Sequence, residues 1–202
     1  MIVQALNSGL RKVPVWVIYF FLLVPGIVTF YLGLTGGLGA EPIKALEQAL
    51  GKFTLNLLVF GLSISPIVRF TGLNLLRFRR AIGVMAFTYV TAHFLTWLIL
   101  DLQSVNQIFA DIKKRPYVTI GFLGFLLLVP LALTSNNWAV RSLGRFWPKL
   151  HSLVYVAAIL GSLHYIILTK GFQLEPLIYM AAIIALIAAR MPKWYRSWAR
   201  KY

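Results

Sequence analysis

Six stretches of this chain stay apolar for long enough to matter to a lipid bilayer: 15–34, 53–70, 82–100, 117–134, 150–169 and, more briefly, 176–189. A hydrocarbon core of about 30 Å takes roughly 20 mostly apolar residues per helix. Within that layer every backbone polar group needs a partner inside the protein, so a single apolar run of this length must be a helix. The predicted fold class is therefore all-α: a polytopic membrane protein, a six-transmembrane-helix bundle forming one domain over residues 1–202. Composition agrees, because only 12% of residues are charged and 59% are hydrophobic, about half the charge of a soluble domain. The last segment is short and relies on flanking residues that snorkel. Pro25, Pro66 and Pro130 fall within or near segment ends, where membrane helices tolerate them if neighbours satisfy the freed carbonyls. The first segment is longer than the 7 to 15 apolar residues of a typical signal peptide, so it reads as a retained span.

Charge orients the bundle. With the N-terminus inside, the inner segments hold fourteen Lys and Arg residues and the outer loops hold six: Lys44, Lys52, Lys113, Lys114, Arg115 and Lys170. All five acidic residues, Glu41, Glu47, Asp101, Asp111 and Glu175, also fall outside. The positive-inside rule counts Lys and Arg, so both termini are expected in the cytoplasm. The net charge of +15 is thus a topology signal. It does not point to nucleic acid, since the basic residues flank spans instead of forming one solvated basic face. The tail "KWYRSWARKY" reads as an interfacial anchor with aromatic residues.

The chain has no cysteine, which removes disulfides, iron–sulfur ligation, thiolate haem and covalent C-x-x-C-H haem attachment. The glycines of "GGLGAE" follow a membrane helix. A dinucleotide fingerprint needs a strand before it and a helix behind it.

All three histidines lie inside apolar segments: His93, His151 and His164. Intramembrane ionisable groups read as functional by default, the simpler alternative being one buried hydrogen bond apiece. Imidazole is a common ligand for haem iron and for zinc. Depth separates the three. At 1.5 Å per residue, His93 lies roughly 3 Å and His164 roughly 6 Å outward of their helix centres, while His151 lies roughly 13 Å towards the cytoplasm. His93 and His164 thus share a level, and their helices run in the same direction. Two imidazoles facing one another can clamp one iron from both sides, as in a bis-histidine haem b. Zinc would want four ligands, often including Cys or carboxylate, and no acid lies at that depth. His151 has Arg80 at its level instead of a second histidine, and thirteen residues turn its side chain by about 220° from that of His164. One haem is supported by this reading and a second at His151 stays open. His151 with Arg77, Arg79, Arg80 and Arg145 could instead hold a quinone or a flavin such as FMN at the cytoplasmic surface. Those arginines also suit haem propionates; as topology markers they need no ligand. Tyr89 and Trp97 sit one turn either side of His93 and so on its face, where they could stack on a porphyrin or simply pack.

At these residues the chain resembles the MsrQ family, the haem-binding membrane subunit of the bacterial methionine-sulfoxide reductase system MsrPQ. The resemblance covers nearly the whole chain. It rests on "GGLGAEP" at 36–42, "RFRRAIG" at 77–83, "TAHFLTW" at 91–97, "RPYVTIG" at 115–121, "LALTS" at 131–135 and "LGRFWPKLHSLVYVAAILGSLHYI" at 143–166. More distantly the chain is similar to ferric reductase and NADPH oxidase membrane domains, which carry two histidine pairs and two stacked haems. Arg80 stands here in place of the fourth histidine, and the FAD/NADPH domain of those oxidases is not in this sequence. The resemblance implies His93, His151 and His164 as haem ligands, and quinone, flavin or a cytosolic flavin reductase as electron source. It implies a periplasmic molybdopterin methionine-sulfoxide reductase as acceptor, in repair of oxidised envelope proteins, and a bacterial inner-membrane location.

The residues alone reach a membrane haem protein; the resemblance adds direction and partner. The chain has no thiol and no soluble domain for a molybdenum cofactor, so its expected role is electron transfer. The rivals are a self-sufficient ferric or quinone reductase of the cytochrome b kind, and a transporter or scaffold whose histidines bind no haem.

Overall fold

The computed structural model describes residues 2–101, 114–169 and 172–190. Within them the chain is helical, with no strand. The helices are α1 (Ile2–Lys12), α2 (Val15–Leu34), α3 (Pro42–Thr71), α4 (Arg79–Leu95), α5 (Pro116–Leu133), α6 (Asn137–Leu143), α7 (Trp147–His151), α8 (Leu153–Leu168) and α9 (Leu174–Ala188). A 3-10 turn, Leu76–Phe78, leads into α4, and α4 runs on as π turns over Thr96–Asp101. Five stretches are long and apolar enough to span a membrane, and α9 is a shorter apolar helix. The protein is a multi-pass helical membrane bundle. Its outer surface is correspondingly greasy: Trp16, Phe20, Phe21 and Ile27 are all exposed, far beyond what a soluble surface carries.

Two close helix pairs make the centre. α3 packs along α4 and α5 along α8, while α9 covers α8 and α3 and α2 lies on α4. The α3–α4 seam is filled by Leu50, Leu58, Leu62, Ile82, Met85 and Ala86. The α5–α8 seam uses small residues instead: Gly124 lies under Leu160 and close to the backbone at Ala157 and Gly161. Lipid tails are as apolar as leucine, so close van der Waals contact through small residues is what holds such a seam.

Several boundaries differ from those read off hydropathy. The second span begins at Pro42, not near 53, because Ile43, Leu46 and Leu50 continue the helical apolar period and Leu46 and Leu50 are buried. The charges of Lys44, Glu47 and Lys52 hide that extension from a hydropathy window. Pro25, Pro66 and Pro130 all sit inside helices. The fifth span is two helices, broken at Ser152. A helix at the N-terminus was not expected at all. α1 is tied down by Asn7, which donates to the Gly72 carbonyl (3.0 Å) and accepts from the Asn74 N–H (2.8 Å), and by Arg77, which donates to the carbonyls of Leu10 and Arg11. Asp111 and Lys113 of the second outer loop, Lys170 and the 193–202 tail lie outside the described residues.

Tyr89 has a structural task. Its hydroxyl donates to the Leu22 carbonyl (2.6 Å) and accepts from the Gly26 N–H (2.9 Å). Those two groups would bond each other in a regular helix, so the phenol is inserted into the ladder of α2 beside Pro25, a recognised cause of helix bending. Gly26 makes room, since a Cβ there would stand 3.0 Å from the ring. The ring also packs on Phe53. The Tyr89 hydroxyl therefore braces α2. Tyr89→Phe should cost roughly 1 kcal/mol, the net worth of a typical hydrogen bond, because the freed groups can rejoin each other. The unfolding midpoint in detergent should fall by roughly 2–4 °C with the visible spectrum unchanged; an altered haem spectrum would return Tyr89 to the site.

Candidate functional site

His93 projects from α4 and His164 from α8, one from each close pair. Their ring centroids are 6.2 Å apart and their planes nearly perpendicular, at 81°. The shared depth expected from sequence is thus a direct juxtaposition. Each ring is fixed by a backbone carbonyl of the helix its own helix packs against. His93 Nδ1 lies 2.8 Å from the Glu47 carbonyl on α3, and His164 Nδ1 lies 2.6 Å from the Tyr117 carbonyl on α5. A carbonyl only accepts, so both Nδ1 atoms carry the proton. That leaves the lone pair of each ring on Nε2, the tautomer needed to bind metal through Nε2, held by the outer hydrogen bond that usually accompanies such ligands.

The pair has the dimensions for one metal ion between two imidazoles. With metal–nitrogen bonds of about 2.0–2.1 Å and a ring centre about 1.1 Å beyond each nitrogen, the centroids would lie about 6.3 Å apart. Among the described residues no three His, Asp or Glu side chains converge as a metal site. Among the described residues the site thus offers two imidazole nitrogens and no third ligand, which fits a haem, whose four pyrrole nitrogens would complete the set. A cluster of aromatic rings joins the same α4 to α5: Phe94 stacks on Phe125 at 4.9 Å and on Phe122 at 5.7 Å, and Phe87 stacks on Phe125. Trp97 joins this cluster through Phe94.

His151 is held in another way. Its Nε2 lies 3.0 Å from Thr134 Oγ1, whose own proton goes to the Pro130 carbonyl (2.6 Å). The histidine must therefore donate, and Nε2 carries its proton. Trp147 stacks on the ring at 3.9 Å and donates from Nε1 to the Thr134 carbonyl. So His151 is in the opposite tautomer from His93 and His164.

The arginines of the sequence reading do not all gather. Arg77 caps α1, and Arg145 lies over Phe146. Arg80 donates to the Asn137 amide oxygen (2.7 Å). Arg79 and Arg80 are near enough to His151 to act on its charge. Sequence reasoning missed Arg190, which donates to the Tyr155 hydroxyl (2.8 Å) and to the Leu62 carbonyl and so ties α9 to α8 and α3. It also missed the roles of Thr134 and Trp147. At the opposite end Lys52 pairs with Glu175 at 2.9 Å, and Tyr165, the neighbour of His164, donates to the same carboxylate.

Comparisons with known proteins place the chain among its relatives. A family described as "Ferric reductase like transmembrane component" matches residues 48–162. The chain is similar to the protein-methionine-sulfoxide reductase heme-binding subunit MsrQ of Brucella ovis, at 47% identity over 182 residues, which are 89% of this chain and 82% of that protein. The subunit of the same name from Brucella anthropi is 46% identical over 178 residues, 88% of this chain and 81% of that protein. No solved structure matches.

Proposed function

The chain belongs to the ferric reductase like transmembrane components and to the MsrQ heme-binding subunits among them, and on that premise we propose that it is the haem b electron-transfer subunit of a methionine-sulfoxide reductase system. Its location is the bacterial inner membrane. Electrons enter at the basic end of the bundle from quinol, flavin or a cytosolic flavin reductase. They leave at the opposite, mixed-charge end for a periplasmic molybdopterin reductase that repairs oxidised methionines.

The observation that carries this reading is the His93–His164 pair, 6.2 Å apart with both Nδ1 atoms engaged. Haem supplies the one-electron chemistry when bound. The chain supplies two imidazoles whose Nε2 lone pairs are free, each held by its Nδ1 hydrogen bond, and helices that hold the site nearer one face than the other. His151, with Arg79 and Arg80 close by, is the candidate contact for quinone or for the phosphate of FMN at the entry side; a second haem there would need the His151 proton moved from Nε2. A reduced-minus-oxidised spectrum of the purified protein tests the reading: low-spin haem b bands support it, and a protein that binds no haem sinks it.

Orientation rests on the fourteen-to-six distribution of basic residues. Reporter fusions after Tyr202 and within 69–80 should report cytoplasm, and fusions within 102–114 periplasm. A periplasmic C-terminus would reverse the direction of electron flow proposed here.

A further inference from the structure

We propose that Gly121, with Gly51 in a lesser part, is a positioning residue that sets how an axial imidazole is presented to iron; this rests on the haem reading above. Both histidines are held by the same local device. On α3 the Glu47 carbonyl faces His93 Nδ1, and Gly51 lies four residues on. On α5 the Tyr117 carbonyl faces His164 Nδ1, and Gly121 lies four residues on. In a helix the carbonyl of residue i already accepts the N–H of residue i+4. Side chains lean towards the helix N-terminus, so a side chain at i+4 covers the turn that carries that carbonyl. Glycine at i+4 leaves the second lone pair open. The imidazole lies in the notch and donates to it.

The two notches differ in tightness, and the difference is what makes the proposal specific. A Cβ at position 121 would stand 2.7 Å from Nδ1, 3.0 Å from Cε1 and 3.2 Å from Cγ of His164. Those atoms span one edge of a rigid ring, so no small rotation clears them all. At position 51 the nearest atoms of His93 would be 3.4 Å away, which a slight shift relieves. Gly124 is a natural control on the same helix. Its Cβ would meet Leu160 Cβ at 3.5 Å and the Ala157 carbonyl at 3.7 Å, in the α5–α8 seam, and none of its three nearest atoms belongs to a histidine. Alanine at 124 tests seam packing; alanine at 121 tests the ring.

Displacing His164 from the Tyr117 carbonyl has two consequences for a bound metal. The proton is no longer held on Nδ1, so Nε2 is no longer reserved for iron. The ligand also loses the basicity that an outer hydrogen bond confers, which destabilises the ferric state and raises the midpoint potential.

The experiment uses the full chain purified with haem as wild type, Gly121→Ala, Gly51→Ala and Gly124→Ala. Haem-to-protein ratio, ferric spin state and midpoint potential are read for each. Gly121→Ala should lose haem affinity by roughly 10- to 100-fold; the haem that remains should show a high-spin ferric signature and a raised midpoint. Gly51→Ala should stay low-spin with a smaller upward shift, and Gly124→Ala should match wild type. Gly121→Ala indistinguishable from Gly124→Ala in all three readouts overturns the proposal while the haem reading stands. Wild-type protein without haem overturns both. If Gly121→Ala does not accumulate, it is paired with His164→Gly, which removes the ring that the new Cβ would strike. Accumulation of the double variant at the level of His164→Gly alone supports the proposal, and no recovery overturns it.

Discussion

His93→Ala and His164→Ala should each abolish the same low-spin haem signal. The two rings lie together from different helix pairs at 6.2 Å, so in the proposed site each would supply one axial bond to one iron. Losing either leaves the iron with a single histidine and a cavity in place of the other. Outer hydrogen-bond partners of metal ligands are typically worth 10- to 100-fold in affinity, and an axial ligand itself should be worth at least that. Electron transfer through the protein should fall in parallel, because the variant has no low-spin haem at that level. His151→Ala should spare much of the signal: its Nε2 is donated to Thr134 and its ring is stacked on Trp147. Haem content and the reduced-minus-oxidised spectrum of the three variants check this together. Retention of the signal in His93→Ala with complete loss in His151→Ala would show that the pairing is wrong.

The second large effect concerns the relay. Membrane vesicles holding this protein, with haem reduced, should reoxidise it when given the molybdopterin reductase together with methionine sulfoxide. Either component alone should give no sustained turnover. The mixed-charge outer end of the bundle, where Glu41, Glu47, Asp101 and Glu175 stand with Lys44, Lys52 and Arg115, is the surface such a partner would meet. Charge there would mainly set encounter rate and not affinity. Haem that stays reduced with both components present would sink the outward relay. Reoxidation just as fast with ferric chelates and no partner would favour the ferric reductase rival.

Much of this site can be read from sequence because depth in a membrane is nearly one-dimensional. Counting 1.5 Å per residue from the middle of two apolar runs brings His93 and His164 to one level, and the structure sets their rings side by side. What sequence does not carry is the other half of the clamp. The partners of both Nδ1 atoms are carbonyls of Glu47 and Tyr117, and a backbone carbonyl has no side-chain signature. Glu47 was read as part of an outer loop, since its charge and those of Lys44 and Lys52 depress the local hydropathy; in the structure it stands on α3 and its backbone, not its carboxylate, faces the histidine. The spacing of Tyr89 from His93 correctly places both on one helix but does not reveal that the phenol would be drawn into the turn of α2 at Pro25. α1 escaped notice for a related reason: eleven residues are too few for a membrane-length search, and its anchors, Asn7 and Arg77, act on backbone atoms far along the chain.

Low-temperature electron paramagnetic resonance of the oxidised, purified protein tests most directly whether His93 and His164 bind one iron from opposite sides. Ring planes at 81° should give the strongly anisotropic low-spin ferric signal of near-perpendicular imidazoles, and that signal should vanish in both His93→Ala and His164→Ala. A high-spin ferric signal from wild-type protein, or a low-spin signal that survives either substitution, would contradict that pairing.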